Sequence, residues 1–202
     1  MNILKELLLL AMATSILGCE ANNERKETEQ ATLSSQSQSD EEAVKEIAPS
    51  ITNLDATVAN HVQEIVNHYI HVKTALVNSN SAEAKTGARM ITNVISGFDR
   101  SQLPAAHKSE YDKSATGISR TAQLIAAEPD LEKQRTIFAD LSNSVYSLVT
   151  AFGAEKPIYH DHCPMALNDK GAMWLSEVKE IRNPYFGEEM MECGTVEEVI
   201  KR

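Results

Sequence analysis

Apolar side chains recur every three or four positions from about residue 51 to residue 152, the period of amphipathic helices. Ile51, Leu54, Val58, Val62, Ile65, Tyr69, Val72 and Leu76 make the first stripe. Pro49 precedes it, Ser50 or Thr52 is placed to cap it, and Asn78-Ser79-Asn80-Ser81 ends it. Ala84, Ala88, Ile91, Ile95 and Phe98 make the second, which breaks at Asp99 to Pro104, with Pro104 acceptable in a first helical turn. Tyr111, Ala115, Ile118, Ala122 and Ile125 form a third stripe, thin enough to let helices approach closely. Asp130 is a good N-cap for the fourth, which runs through Phe138, Leu141, Val145, Leu148 and Phe152 to a terminating Gly153. Short connections between such helices predict an up-down four-helix bundle.

Beyond Pro157 the helical period weakens. The stretches Ile158-Tyr159-His160-Asp161-His162-Cys163-Pro164-Met165, Gly171-Ala172-Met173-Trp174-Leu175-Ser176, Asn183-Pro184-Tyr185-Phe186-Gly187 and Met190-Met191-Glu192-Cys193-Gly194 are rich in turn formers, sulfur and aromatics. The predicted fold class is therefore all-α: a bundle domain over residues 50–202, with an irregular Cys/Met-rich segment, 157–194, packed on it.

The chain opens differently. Lys5 followed by the apolar run Leu7 to Ala13 reads as an export signal too short to span a bilayer. Ser15-Ile16-Leu17-Gly18-Cys19 resembles a bacterial lipobox, with lipidation at Cys19 and removal of residues 1–18; the alternative is an ordinary secretory signal with a free Cys19. The acidic, Ser/Gln-rich stretch 19–49 has little to bury and reads as a disordered tether. The expected location is the cell envelope: lipid-anchored, facing the periplasm, at the outer membrane rather than the inner.

Charge narrows the partners. Lys and Arg number 19 against 29 Asp and Glu, a formal charge of −10, which disfavours nucleic acid. Neither a phosphate loop nor a nucleophile elbow occurs, and Cys163 beside His162 has no identifiable third residue to orient a base, so an enzyme is not expected. His61, His68 and His71 lie along one side of the first helix and read as a partly exposed row rather than a metal site; Met90 reads as core filler.

Sulfur is the distinctive chemistry. Cys163 and Cys193 are the only cysteines after Cys19, and Met165, Met173, Met190 and Met191 cluster with them. Thiolates and thioethers select soft cations such as Cu(I). In an extended chain His160 and His162 share one side, and Cys163 and Met165 the other. Met190 and Cys193 are three apart, as on one helical turn. Convergence of the two ends predicts a Cu(I) site of Cys163, Met165, Met190 and Cys193, with His160 and His162 as optional ligands and Trp174 as a shield or core residue. The competing reading is a disulfide between Cys163 and Cys193, expected of a thiol pair in an exported protein and contributing about 3 kcal/mol. Structural Zn²⁺ is a lesser alternative, methionine being a poor zinc ligand.

The Cys-Pro-Met-Ala, Gly-Ala-Met-Trp-Leu-Ser, Asn-Pro-Tyr-Phe-Gly and Met-x-x-Cys-Gly elements, with Tyr69 to Val77 and Arg135 to Ser142, resemble domain of unknown function family 3347 over roughly residues 52–200. That family occurs in bacterial lipoproteins and on periplasmic adaptors of CusB-type heavy-metal efflux systems. The resemblance implies copper or heavy-metal handling in the envelope and a heavy-metal efflux adaptor as partner. It carries Cys163, Met165, Met190 and Cys193 as candidate ligands; His160 and His162 lie outside the shared pattern. The two expectations are a membrane-anchored copper lipoprotein that buffers or delivers the ion, or a cystine-stapled interaction module without metal.

Overall fold

The four periodic stretches fold as α1 (Ala56–Val77), α2 (Ser81–Gly97), α3 (Ala105–Ala127) and α4 (Leu131–Phe152) in a computed structural model that describes residues 44–201. The expected export signal, Cys19 as the expected lipidation residue and most of the expected tether lie outside the described residues. Each helix packs on the next through the apolar stripe read from the sequence, and Val62, Ile65, Ile91, Ile118, Ile125, Leu141 and Leu148 are buried at its centre. Asp55, rather than Ser50 or Thr52, caps α1, its carboxylate accepting the Thr57 N–H at 2.8 Å. Asn80 and Asp130 cap α2 and α4 in the same way. Gly87 has a packing role: a Cβ there would sit 2.9 Å from Val72 Cγ2 and 3.2 Å from the Val72 nitrogen, so α1 and α2 approach backbone to side chain.

The all-α expectation is wrong in its last quarter. The tail forms strands β2 (Ile158–Cys163), β3 (Ala172–Ser176) and β4 (Thr195–Ile200), and Lys45–Ile47, within the stretch read as a tether, is β1. Together they make a four-stranded mixed sheet in the order β1-β4-β2-β3. β1 runs parallel to β4, whereas β2 is antiparallel to both β4 and β3. The physical reason lies in β2, where half-buried His160 and His162 alternate with buried Asp161 and Cys163. Polar residues at inward positions hide the two-residue alternation that marks a strand.

The sheet joins the bundle along β3, whose outer edge has no strand neighbour among the described residues. The Tyr69 hydroxyl on α1 accepts the Leu175 N–H at 2.9 Å, and the Tyr185 hydroxyl donates to the Met173 carbonyl at 2.6 Å. Two phenols thus satisfy backbone groups that an open edge would leave to solvent or to another chain. Between β2 and β3 the chain makes the short turn α5 (Ala166–Asp169), where Leu167, Asn168 and Asp169 all take positive φ between 54° and 60°. Among the described residues no helix is long and apolar enough to cross a membrane.

Candidate metal centre

Cys163 ends β2, fully buried, and Cys193 lies half-buried in the turn entering β4. Thirty positions apart in sequence, the two thiols are free and share a hydrogen bond. That bond, then burial, then the proximity of the Cys163 sulfur push the Cys193 thiol up to about 11. The pair is a dithiol held by folded structure on both sides.

The Asn-Pro-Tyr-Phe-Gly stretch does the holding. Asn183 is fully buried; its Nδ2 donates to the Cys193 carbonyl at 2.7 Å, and its backbone N–H donates to the Met191 carbonyl at 2.8 Å. Its Oδ1 accepts the Tyr185 and Phe186 N–H groups at 2.7 and 3.3 Å. Arg135 of α4 grips the same loop from below, donating to the Pro184 carbonyl at 3.0 Å and reaching Leu76 and Ser79 at the end of α1. These bonds tie the loop carrying Cys193 to the ends of α1 and α4 and leave it few alternative positions.

The other predicted ligands are placed differently. Met165 is 46% exposed, two residues past Cys163, while Met190 is half-buried, its carbonyl accepting the Cys193 N–H at 3.1 Å. His160 and His162 leave β2 on the face opposite Cys163. His160 Nδ1 lies 3.3 Å from Glu198 Oε2, and His162 Nδ1 lies 3.2 Å from Glu197 Oε1. Trp174 is a core residue, its ring edge-on to Tyr185 at 6.1 Å. Among the described residues, no three His, Cys, Asp or Glu side chains converge as a metal-holding group.

The expected partly exposed row on α1 fails at His61, which is buried with Nε2 2.6 Å from the Tyr111 hydroxyl; His68 is half-buried, and His71 Nε2 meets Glu83 at 2.9 Å. Met90, read as core filler, is 41% exposed.

Sequence reasoning missed the polar interior beside the dithiol. Asp161, on the inward side of β2 with Cys163, is fully buried, and its carboxyl and the Trp174 indole paired with it on β3 approach one another without a well-formed hydrogen bond. Burial raises the Asp161 carboxyl to about 7, against the opposing pull of the Lys73 ammonium and the Trp174 indole. Lys73, also buried, donates to Ser176 Oγ at 3.4 Å, and burial lowers its pKa while Asp161 raises it. A signal was present: Lys73 sits inside the apolar stripe between Val72 and Leu76, where a charge needs a buried counter-charge.

A bundle with a four-stranded sheet and a half-buried dithiol is the class the fold and site define. Residues 65–157 match the family described as Protein of unknown function (DUF3347), which supports the resemblance over α1 to α4; the match ends at the residue before β2. No curated protein and no solved structure matches the chain.

Proposed function

We propose that the protein binds Cu(I), or another soft monovalent cation, at the Cys163–Cys193 dithiol. The observation that supports this is the thiol–thiol contact between a strand end and a loop pinned by Asn183. Two thiolates are the donor set that soft, low-coordinate ions prefer. Loading exchanges both thiol protons for the ion, leaving a bis-thiolate complex with one net negative charge, and the buried Lys73 ammonium, which acts on Asp161 two residues before Cys163, is a candidate to offset it. Met190, in the same turn as Cys193, and Met165, two residues from Cys163, are the thioethers available to raise coordination above two. The role in view is that of a lipid-anchored envelope protein, tethered through Cys19, that buffers copper or hands it to a heavy-metal efflux adaptor. Its support is the lipobox-like sequence and the family resemblance.

The test is a Cu(I) titration against a competing chelator under reducing conditions. The wild type is expected to bind one ion, Cys163→Ser to lose at least a hundredfold in affinity, and Met190→Leu to lose less. Unchanged affinity in Cys163→Ser overturns the reading.

The same contact favours a second reading, a cystine that closes the sheet without metal. Mass spectrometry of protein isolated without reductant separates the two. A mass two hydrogens short, with no thiol that copper protects from alkylation, supports the cystine-stapled module.

A further inference from the structure

We infer a second cation site on the face of β2 opposite the dithiol, in which His160 and His162 act as a two-imidazole chelate for a divalent borderline ion, Cu²⁺ foremost. The two histidines alternate along β2 and therefore leave it on one side. What completes the arrangement is a bulge. His160 pairs with Glu198 but Asp161 pairs with Val196, so β4 carries one extra residue, Glu197, at this point. The extra residue lets two consecutive glutamates reach two alternate histidines, at 3.3 Å for His160–Glu198 and 3.2 Å for His162–Glu197.

In both contacts the nitrogen facing the carboxylate is Nδ1. An imidazole whose Nδ1–H faces a carboxylate keeps its lone pair on Nε2, and a carboxylate behind Nδ1 is what orients a metal-binding histidine and strengthens it as a donor. Glu198 is itself fixed: its Oε1 takes Lys45 Nζ at 2.6 Å and its Oε2 takes the Tyr146 hydroxyl at 2.7 Å. Gly171 leaves room for the second ring, since a Cβ there would stand 2.8 Å from His162 Nε2. Glu197, more exposed than Glu198, is free to turn and add an oxygen; water fills the remaining positions.

Nitrogen and oxygen donors without sulfur favour a divalent ion, and Cu²⁺ stands highest in the first-row affinity order. This site does not rest on the dithiol reading, because its donors lie on the other face and take the other oxidation state.

The experiment uses the full chain carrying Cys19→Ser, Cys163→Ser and Cys193→Ser, so that thiols neither bind nor reduce the probe. Titration with Cu²⁺, followed by electron paramagnetic resonance, is expected to give one bound ion with coupling to two nitrogens. His160→Gln with His162→Gln should abolish that signal and weaken binding at least tenfold, whereas His68→Gln with His71→Gln should leave it unchanged. Glu197→Gln with Glu198→Gln keeps both imidazoles and should weaken binding about tenfold or more, as loss of a carboxylate behind a ligand does. Nitrogen coupling that survives the His160/His162 change, or that disappears with His68 and His71, overturns the inference. If the serine variant does not fold, Ni²⁺ titration of the wild type is read by broadening of the imidazole resonances. His160 and His162 must then broaden before the other histidines, and the reverse order overturns the inference. Absence of Cu(I) binding by the wild type would remove the dithiol reading and leave this result standing.

Discussion

The Tyr69 hydroxyl accepts the Leu175 N–H at 2.9 Å and meets Ser142 Oγ at 2.8 Å, so one phenol on α1 ties β3 and α4 together. Its ring also stacks on Phe138 at 5.2 Å. Tyr69→Phe keeps the ring and removes only the oxygen, leaving a buried backbone donor and a buried hydroxyl without this partner. The expected cost is about 1–3 kcal/mol. Urea unfolding should show a lower midpoint with an unchanged slope. A midpoint equal to that of the wild type would mean that another group or water replaces the oxygen.

Lys73 and Asp161 make a second cross-link between α1 and the sheet, through charge. Lys73→Met removes the only cation offsetting Asp161 among the causes of its shift, so the carboxyl is pushed further up, takes a proton and is left as a buried polar group without a partner, at a cost of about 1–3 kcal/mol. Adding Asp161→Leu to that variant removes the unpaired polar group, so the double variant should be more stable than Lys73→Met alone. A double-mutant cycle by urea denaturation measures this coupling. Simple additivity would show that the two charges do not interact.

How much of this was legible follows from which contacts are local. Val58, Val62, Ile65, Tyr69, Val72 and Leu76 advertise α1 because the helical period is written within one segment. The strands are hidden for two reasons. β2 places Asp161 at a buried position and masks its alternation, and β1 pairs Lys45 with Glu198 across almost the entire chain. The meeting of Cys163 and Cys193 was readable because sulfur is scarce elsewhere. The carboxylates behind His160 and His162 were not readable, since they depend on a bulge whose register no local pattern encodes.

Asn183 acts on the dithiol through backbone. Asn183→Ala deletes the donor to the Cys193 carbonyl and the acceptor for Tyr185 and Phe186, leaving buried groups unpaired at a cost of about 2–3 kcal/mol. Because the loop then no longer holds Cys193 against Cys163, alkylation of Cys193 in the native protein should speed up several-fold, while both thiols react alike in urea. Unchanged native alkylation would show that Cys193 is positioned by other contacts.

Gly87 sets two opposing effects against each other. Alanine is the better helix former by about 1 kcal/mol. Its Cβ would nevertheless stand 3.2 Å from the Val72 backbone nitrogen as well as 2.9 Å from Cγ2, and overpacking of this kind costs about 1–3 kcal/mol. The steric effect should win, because a side chain can rotate but the α1 backbone must move. Gly87→Ala is therefore expected to lower the thermal midpoint. A rise would mean that α1 and α2 separate at little cost.

His61 and Asp161 give the fold opposite responses to acid. Burial takes His61 down to about 4 from an ordinary 6.5. Between those values the unfolded chain binds a proton that the folded ring refuses, so this residue's contribution falls as pH drops from 6.5 to 4. Asp161, raised by burial to about 7, keeps its proton in the folded state where the unfolded carboxyl has lost it, and so favours folding as pH drops over a similar interval. Because the two offset each other in the wild type, the informative comparison is with His61→Gln. The wild type's stability relative to that variant should fall by about 2–3 kcal/mol from pH 7 to pH 4. Urea midpoints at several pH values supply the measurement. A pH-independent difference would show that His61 takes up its proton while still stacked on Phe98 and bonded to Tyr111.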